Sequence, residues 1–277
     1  MFRILLIGIC LLGLSNCAIA QVIEEDLNTE NYAFEVKLLD EFFERFNSYE
    51  NTFISKFLKT HYPQINLSRK LFITTLFDLN KYTDKELEDN EFINKVIDSP
   101  LYLSFYDDNW YAEVECKFIY KGKSVVGSFI LKNTKIGNGS AWEIYSIKMP
   151  FIDIPENCKS TNEKTNKSVY LNPATNDTKF LELYKIFNQK EEFHNFIKEG
   201  HISDQTYALI HHAKAGNIQL EEITKINYHM LQISDWYFKV NYFEREGRNS
   251  GWLISELQKL TSEEKIKFKK TILNLDL

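Results

Sequence analysis

Trp110-Tyr111-Ala112-Glu113-Val114-Glu115-Cys116-Lys117-Phe118-Ile119-Tyr120 decides how the chain is read. Trp110, Ala112, Val114, Cys116, Phe118 and Tyr120 alternate with Tyr111, Glu113, Glu115 and Lys117, a period of two that makes a strand with one buried face. Lys121-Gly122-Lys123 supplies a turn, and strands are expected over about 124–132 and 141–149, separated by Gly137-Asn138-Gly139-Ser140. The result is an antiparallel meander.

Upstream, the period is helical. Phe34, Leu38, Leu39, Phe42 and Phe46 form one apolar stripe, Phe53 and Phe57 a second, and Leu71, Phe72, Leu76 and Phe77 a third that Ser68 can cap. Thr83 and Glu86 have capping-box spacing ahead of Phe92, Ile93, Val96 and Ile97. Downstream, Glu, Asn, Lys, Thr and Ser dominate from Pro155, which predicts a polar linker over 155–172. Helical stripes then return with Phe180, Leu183, Tyr184 and Phe187, and with a segment that Ser203 can cap. Strands are expected around Ile226–Met230, from Trp236 to Arg245 and over Trp252–Leu260, followed by a helix opened by Thr261 and Glu264. The expected organisation is thus α+β in two related halves, 21–154 and 173–277, each with helices packed in a curved antiparallel meander.

The halves also share words. Gly137-Asn138-Gly139-Ser140-Ala141-Trp142-Glu143-Ile144 and Gly247-Arg248-Asn249-Ser250-Gly251-Trp252-Leu253-Ile254 both read G-x-x-S-[A/G]-W-x-I, a turn feeding a strand. With helices first and a meander ending in that pattern, each half resembles the nuclear-transport-factor-2-like, or ketosteroid-isomerase-like, superfamily. The resemblance implies a cone in which a bent sheet wraps a helix around a pocket, used by some members for catalysis and by others for binding.

Residues 1–20 read as a cleavable signal peptide: Arg3, an apolar run from Ile4 to Leu14, and Ala18-Ile19-Ala20 before Gln21. The run is too short to span a bilayer, and no later stretch is apolar enough. Leu14-Ser15-Asn16-Cys17 offers a competing reading, lipidation at Cys17 and a membrane tether. The chain is therefore expected outside the cytoplasm, periplasmic or extracellular, where Cys116 and Cys158 could form a disulfide. Alternatively, Cys116 is a small core residue. A formal net charge of -6, with lysines scattered among carboxylates, argues against a nucleic-acid partner.

No nucleotide fingerprint, phosphate-cradling loop, nucleophile motif or metal-ligand spacing is present, so no cofactor and no metal is expected. His211 and His212 are helix neighbours pointing apart. What the family resemblance implies, a pocket carboxylate or histidine as base with a tyrosine polarising the substrate, leaves Asp107, Asp108, Tyr228, His229 and Asp235 as candidates. The aspartates, however, are ordinary residues for turns. Asn66, Asn138, Asn166 and Asn176 fit the glycosylation sequon. The expected function is an exported, non-catalytic binding or envelope-associated protein whose partner is a small apolar ligand, a peptide or an envelope protein. The competing reading is a ketosteroid-isomerase-like enzyme acting on a small molecule in the cone pocket.

Overall fold

In the computed structural model, which describes residues 31, 33–48, 50–137, 139–155, 170–198 and 203–275, the alternating stretch is strand β1 (Trp110–Tyr120). Lys121 and Gly122 both take left-handed backbone (φ 48° and 78°), the two-residue turn that matches strand twist and leads into β2 (Lys123–Ile136). β3 (Gly139–Lys148) completes the first meander. β4 (Ile218–Met230), β5 (Trp236–Phe243) and β6 (Gly251–Lys259) make the second. β1 pairs with β4, so all six strands form one antiparallel sheet in the order β3-β2-β1-β4-β5-β6.

β4 begins well before the expected Ile226. Its pairing with β1 skips Glu221 and Thr224, and these two bulges erase the period of two over that stretch. The hairpins β2–β3 and β5–β6 are built alike. Gly137 and Gly247 both have positive φ, and each hairpin carries a bulge three residues after its tryptophan, at Tyr145 and at Ser255. Both glycines, both tryptophans and both bulges are offset by 110 residues (252 − 142).

Each outer strand is closed at its tryptophan. Leu171 exchanges hydrogen bonds of 3.2 and 3.0 Å with Trp142, and the Lys198 amide donates to the Ile144 carbonyl at 2.9 Å. On β6, the Trp252 amide donates to the Val36 carbonyl at 2.8 Å and the Ile254 amide to the Leu76 carbonyl at 2.7 Å. Pairing of this kind removes the free edges that would otherwise template aggregation. It also sets local conformation. The expected helix over Phe34–Phe46 is broken because Val36 is drawn out against Gly251, and α1 starts only at Leu39 (Leu39–Asn47). The turn's freed carbonyls are recovered by the buried Arg45, which donates to Ala33, Phe34 and Glu35 and to the Glu41 carboxylate. Gly251 is required there: its φ is 86°, and a Cβ would stand 2.1 Å from the Val36 carbonyl oxygen.

The remaining helices are α2 (Phe53–His61), α3 (Arg69–Thr75), α4 (Asp84–Glu88), α5 (Glu91–Asp98), α6 (Glu182–Asn188), α7 (Asp204–Lys214) and α8 (Ser262–Thr271). Ser68 caps α3, Ser203 caps α7, and the capping boxes at Thr83 and Thr261 are both formed. Phe53, expected to be buried, is exposed, while Ile54, Phe57 and Leu58 carry the buried face of α2.

The first half's helices reach across to the second half's strands, whereas the second half's helices lie over β4 of their own half and over the first half's strands together. Phe42, Phe46 and Phe92 pack on Phe238 of β5, and Phe92 also meets Trp236. Conversely, Phe180 meets Trp142, and Phe187 meets Phe118 and Phe129. One apolar core runs through both halves on this face. The antiparallel meanders are therefore as expected, and they join edge to edge in a single sheet with the helices of both halves sharing one core. Within the expected linker, residues 156–169 lie outside the described residues, whereas Leu171 is buried against β3.

The opposite face of the sheet is covered at one end by α8 and the residues after it. Phe268 meets Tyr237, and Leu273 and Leu275 are buried with Tyr111, Ile130 and Leu231.

Candidate functional site

Where the two halves meet on the helical face, a groove of 440 Å3 opens. Asp40 and Phe43 come from α1, Phe105 and Tyr106 from the loop before β1, and Ser140 from the start of β3. The opposite wall is the single-turn helix Pro173–Asn176 with Asp177. Asn172 fixes that wall by accepting the Ala174 amide at 2.9 Å, and Leu171 ties it to Trp142. A smaller cavity of 80 Å3 continues past Leu39, Asn176 and Asp177 to Tyr242 and Trp252.

Asp40 and Asp177 share this groove. Although Asp177 is an exposed residue, partial desolvation of its carboxyl, reinforced by the Asp40 charge, pushes it up. Asp177 accepts a 3.0 Å hydrogen bond from the Asn176 side chain. Neither carboxylate is in an ion pair among the described residues, and nearby Lys37 stands 3.6 Å from Glu35.

Beneath lies a cluster of aromatic rings in which Tyr228 is surrounded by Trp110, Trp142 and Trp252, with ring centroids 6.0, 6.4 and 4.9 Å away. The Tyr228 hydroxyl is fully buried and has no hydrogen-bond partner. Burial first, then the charges of Asp177 and Asp40, raise its pKa well above the ordinary value, so it is a neutral phenol. The two carboxylates that act on it are those of the groove. Trp142 Nε1, and Thr175 Oγ1 in the wall, are also buried without partners. Groups of this kind cost free energy unless something satisfies them.

The other candidate residues are not brought to this groove. His229 follows Tyr228 and therefore points to the opposite face. There its Nε2 lies 3.1 Å from the Glu113 carboxylate and its Nδ1 3.1 Å from the Tyr237 hydroxyl. Burial lowers the pKa of His229 and raises that of Tyr237, which sets the proton positions: Nε2–H donates to Glu113, and the Tyr237 hydroxyl donates to Nδ1. Burial also pushes the Glu113 carboxyl up, but hydrogen bonds from His229 and Lys148 outweigh it and hold the group down at about 2. Asn227, Asn241 and Ser255 extend the chain of hydrogen bonds across β4, β5 and β6, with 2.6 Å between Asn241 and Asn227 and 2.6 Å between Ser255 and Asn241. Satisfied on both ring nitrogens beneath Phe268, His229 is held as part of a structural network.

Asp108 is an exposed partner of Lys132 at 2.8 Å, and Asp107 accepts the Asn109 amide at 2.6 Å as a turn residue. Asp235 is an exposed turn residue with φ 61°. Cys116 is a buried free thiol on the core face of β1, pushed well up by burial; Cys158 and Cys17 lie outside the described residues. Asn176, one of the sequons, is buried. His212 is buried against Tyr120 and Asp153, while His211 is exposed, and no cluster of metal-ligating residues occurs among the described residues. Among them no helix is long and apolar enough to cross a membrane.

Sequence reading does not find Asp40, Phe43, Phe105, Tyr106 or Asp177. Asp40 looks like an ordinary first-turn helix acid and Asp177 like a loop residue, and 137 positions separate them. No family model, no curated protein and no solved structure matches the chain.

Proposed function

We propose that this is an exported, non-catalytic binding protein whose ligand sits in the groove between its halves. The observation that carries the reading is the groove itself. Its walls come from both halves and its sides are aromatic, as in ligand sites built where two units meet. Export rests on the signal-like residues 1–20, with lipidation at Cys17 as the alternative form of the same reading. The mass of the mature N-terminus distinguishes them.

The fold is proposed to descend from two copies of one helix-and-meander unit. Support comes from the shared G-x-x-S-[A/G]-W-x-I words, the common offset of 110 residues (252 − 142), and the two bulges at Tyr145 and Ser255. The resemblance to the nuclear-transport-factor-2-like superfamily applies to that unit. An isomerase-like mechanism gains nothing from the geometry, because Tyr228 and His229 stand on opposite faces and the three tryptophans seal Tyr228.

Native mass spectrometry of the purified protein tests the binding reading. A small molecule is expected to copurify with the wild type and to be lost from Ala174→Trp, which fills the groove from an exposed wall position. Retention of the same ligand by a folded Ala174→Trp protein would place binding elsewhere.

A further inference from the structure

We infer that the groove between the halves takes an organic cation, an ammonium or guanidinium carried on an apolar or aromatic body, with Asp40 and Asp177 as its counter-charges. The inference rests on the binding reading above and names its ligand class.

Two features lead to it. First, two carboxylates from distant parts of the chain line one concave site of 440 Å3, and neither is neutralised by a lysine or arginine among the described residues. Like charges held together destabilise a protein unless something offsets them, and a bound cation does so directly. Second, Phe43, Phe105 and Tyr106 line the same groove, and aromatic faces attract cations and cover the apolar body that carries them. Phe43 and Phe105 are packed against each other and against Trp110, so this wall is rigid. An anion would meet two uncompensated carboxylates, and a purely apolar ligand would bury them without a partner. Lys37 and Lys179 line the smaller cavity, Lys179 over the Tyr242 ring, and neither is among the lining residues of the larger groove.

Phenethylammonium, the neutral phenethyl alcohol and the anionic phenylacetate serve as matched probes, titrated into the purified protein and followed by amide NMR shifts. The cation is expected to shift the amides of Asp40, Phe43, Tyr106 and Asp177 and to bind about tenfold more tightly than the alcohol. Asp40→Asn and Asp177→Asn, both exposed positions, should each reduce that preference several-fold, and the double variant should abolish it. Equal affinity for cation and alcohol, or preference for phenylacetate, with shifts at the same amides, overturns the cation assignment while leaving the groove as a binding site. If no probe of any charge shifts these amides, the binding reading fails together with the assignment. Tyr106→Ala tests the aromatic wall: it should weaken binding of both probes, the cation more than the alcohol.

Discussion

Tyr228 and His229 are adjacent in sequence and opposite in circumstance. On the helical face, Tyr228 is sealed among three tryptophans with a hydroxyl that bonds to nothing. On the other face, His229 has both ring nitrogens satisfied within a network that crosses the sheet from Lys148 to Ser255. A fully satisfied polar network holds strands in register. An unsatisfied buried group marks a place where stability has been conceded. The contrast sets a satisfied network on one face against an unsatisfied buried group on the face that carries the groove.

Removing the network's central acid should have the largest effect. Glu113→Ala leaves the buried His229 N–H without an acceptor and Lys148 without its counter-ion, and should cost about 3 kcal/mol in urea unfolding. A loss below about 1 kcal/mol would mean that the network contributes little and that the contrast is false.

Acid should erode the same face. Glu113, held at about 2 when folded against an ordinary value near 4.3, adds stability above the ordinary value and loses it as pH falls toward about 2. His229, lowered by burial, stays neutral in the fold while the unfolded chain takes up a proton below about pH 6.5, so its contribution also falls with pH. Between pH 7 and 2.5, the wild type should lose on the order of 2 kcal/mol more than Glu113→Gln, measured as the pH dependence of the urea midpoint. Parallel profiles for the two proteins would remove Glu113 from the account.

Tyr228→Phe should be small and of opposite sign. Deleting an unpartnered buried hydroxyl is expected to leave stability unchanged or raise it by up to about 1 kcal/mol. A loss above about 1 kcal/mol would show that the hydroxyl is satisfied in solution. The smallest effects are expected at the turn aspartates: Asp108→Asn loses one exposed ion pair, and Asp235→Asn keeps a residue type that tolerates positive φ. Each should change unfolding by no more than about 0.5 kcal/mol.

Much of the fold was legible from the chain because local rules and tertiary demands agree. The alternation in Trp110–Tyr120, the Ser68, Thr83, Ser203 and Thr261 caps and the paired tryptophan words all appear where their chemistry places them. Chain-local pattern and structure part where distant segments intervene. Val36 leaves its helix because Gly251 approaches it, and β4 hides behind two bulges. The site was less legible. Tyr228 stands beneath the groove, but its expected companions do not, since the period of two that identifies the strand also sends His229 to the other side.

By itself the sequence determined the strand-forming period, the helix starts, the signal-like first twenty residues and the duplication of words, all properties of neighbours along the chain. Only the tertiary structure decided that β1 and β4 pair, that the first half's helices reach the second half's strands, and that Asp40 and Asp177 share one groove. The physical reason is range. Propensity and capping act over a few residues, whereas edge pairing and burial are settled by whichever distant surface removes the most apolar area from water and satisfies the most backbone groups.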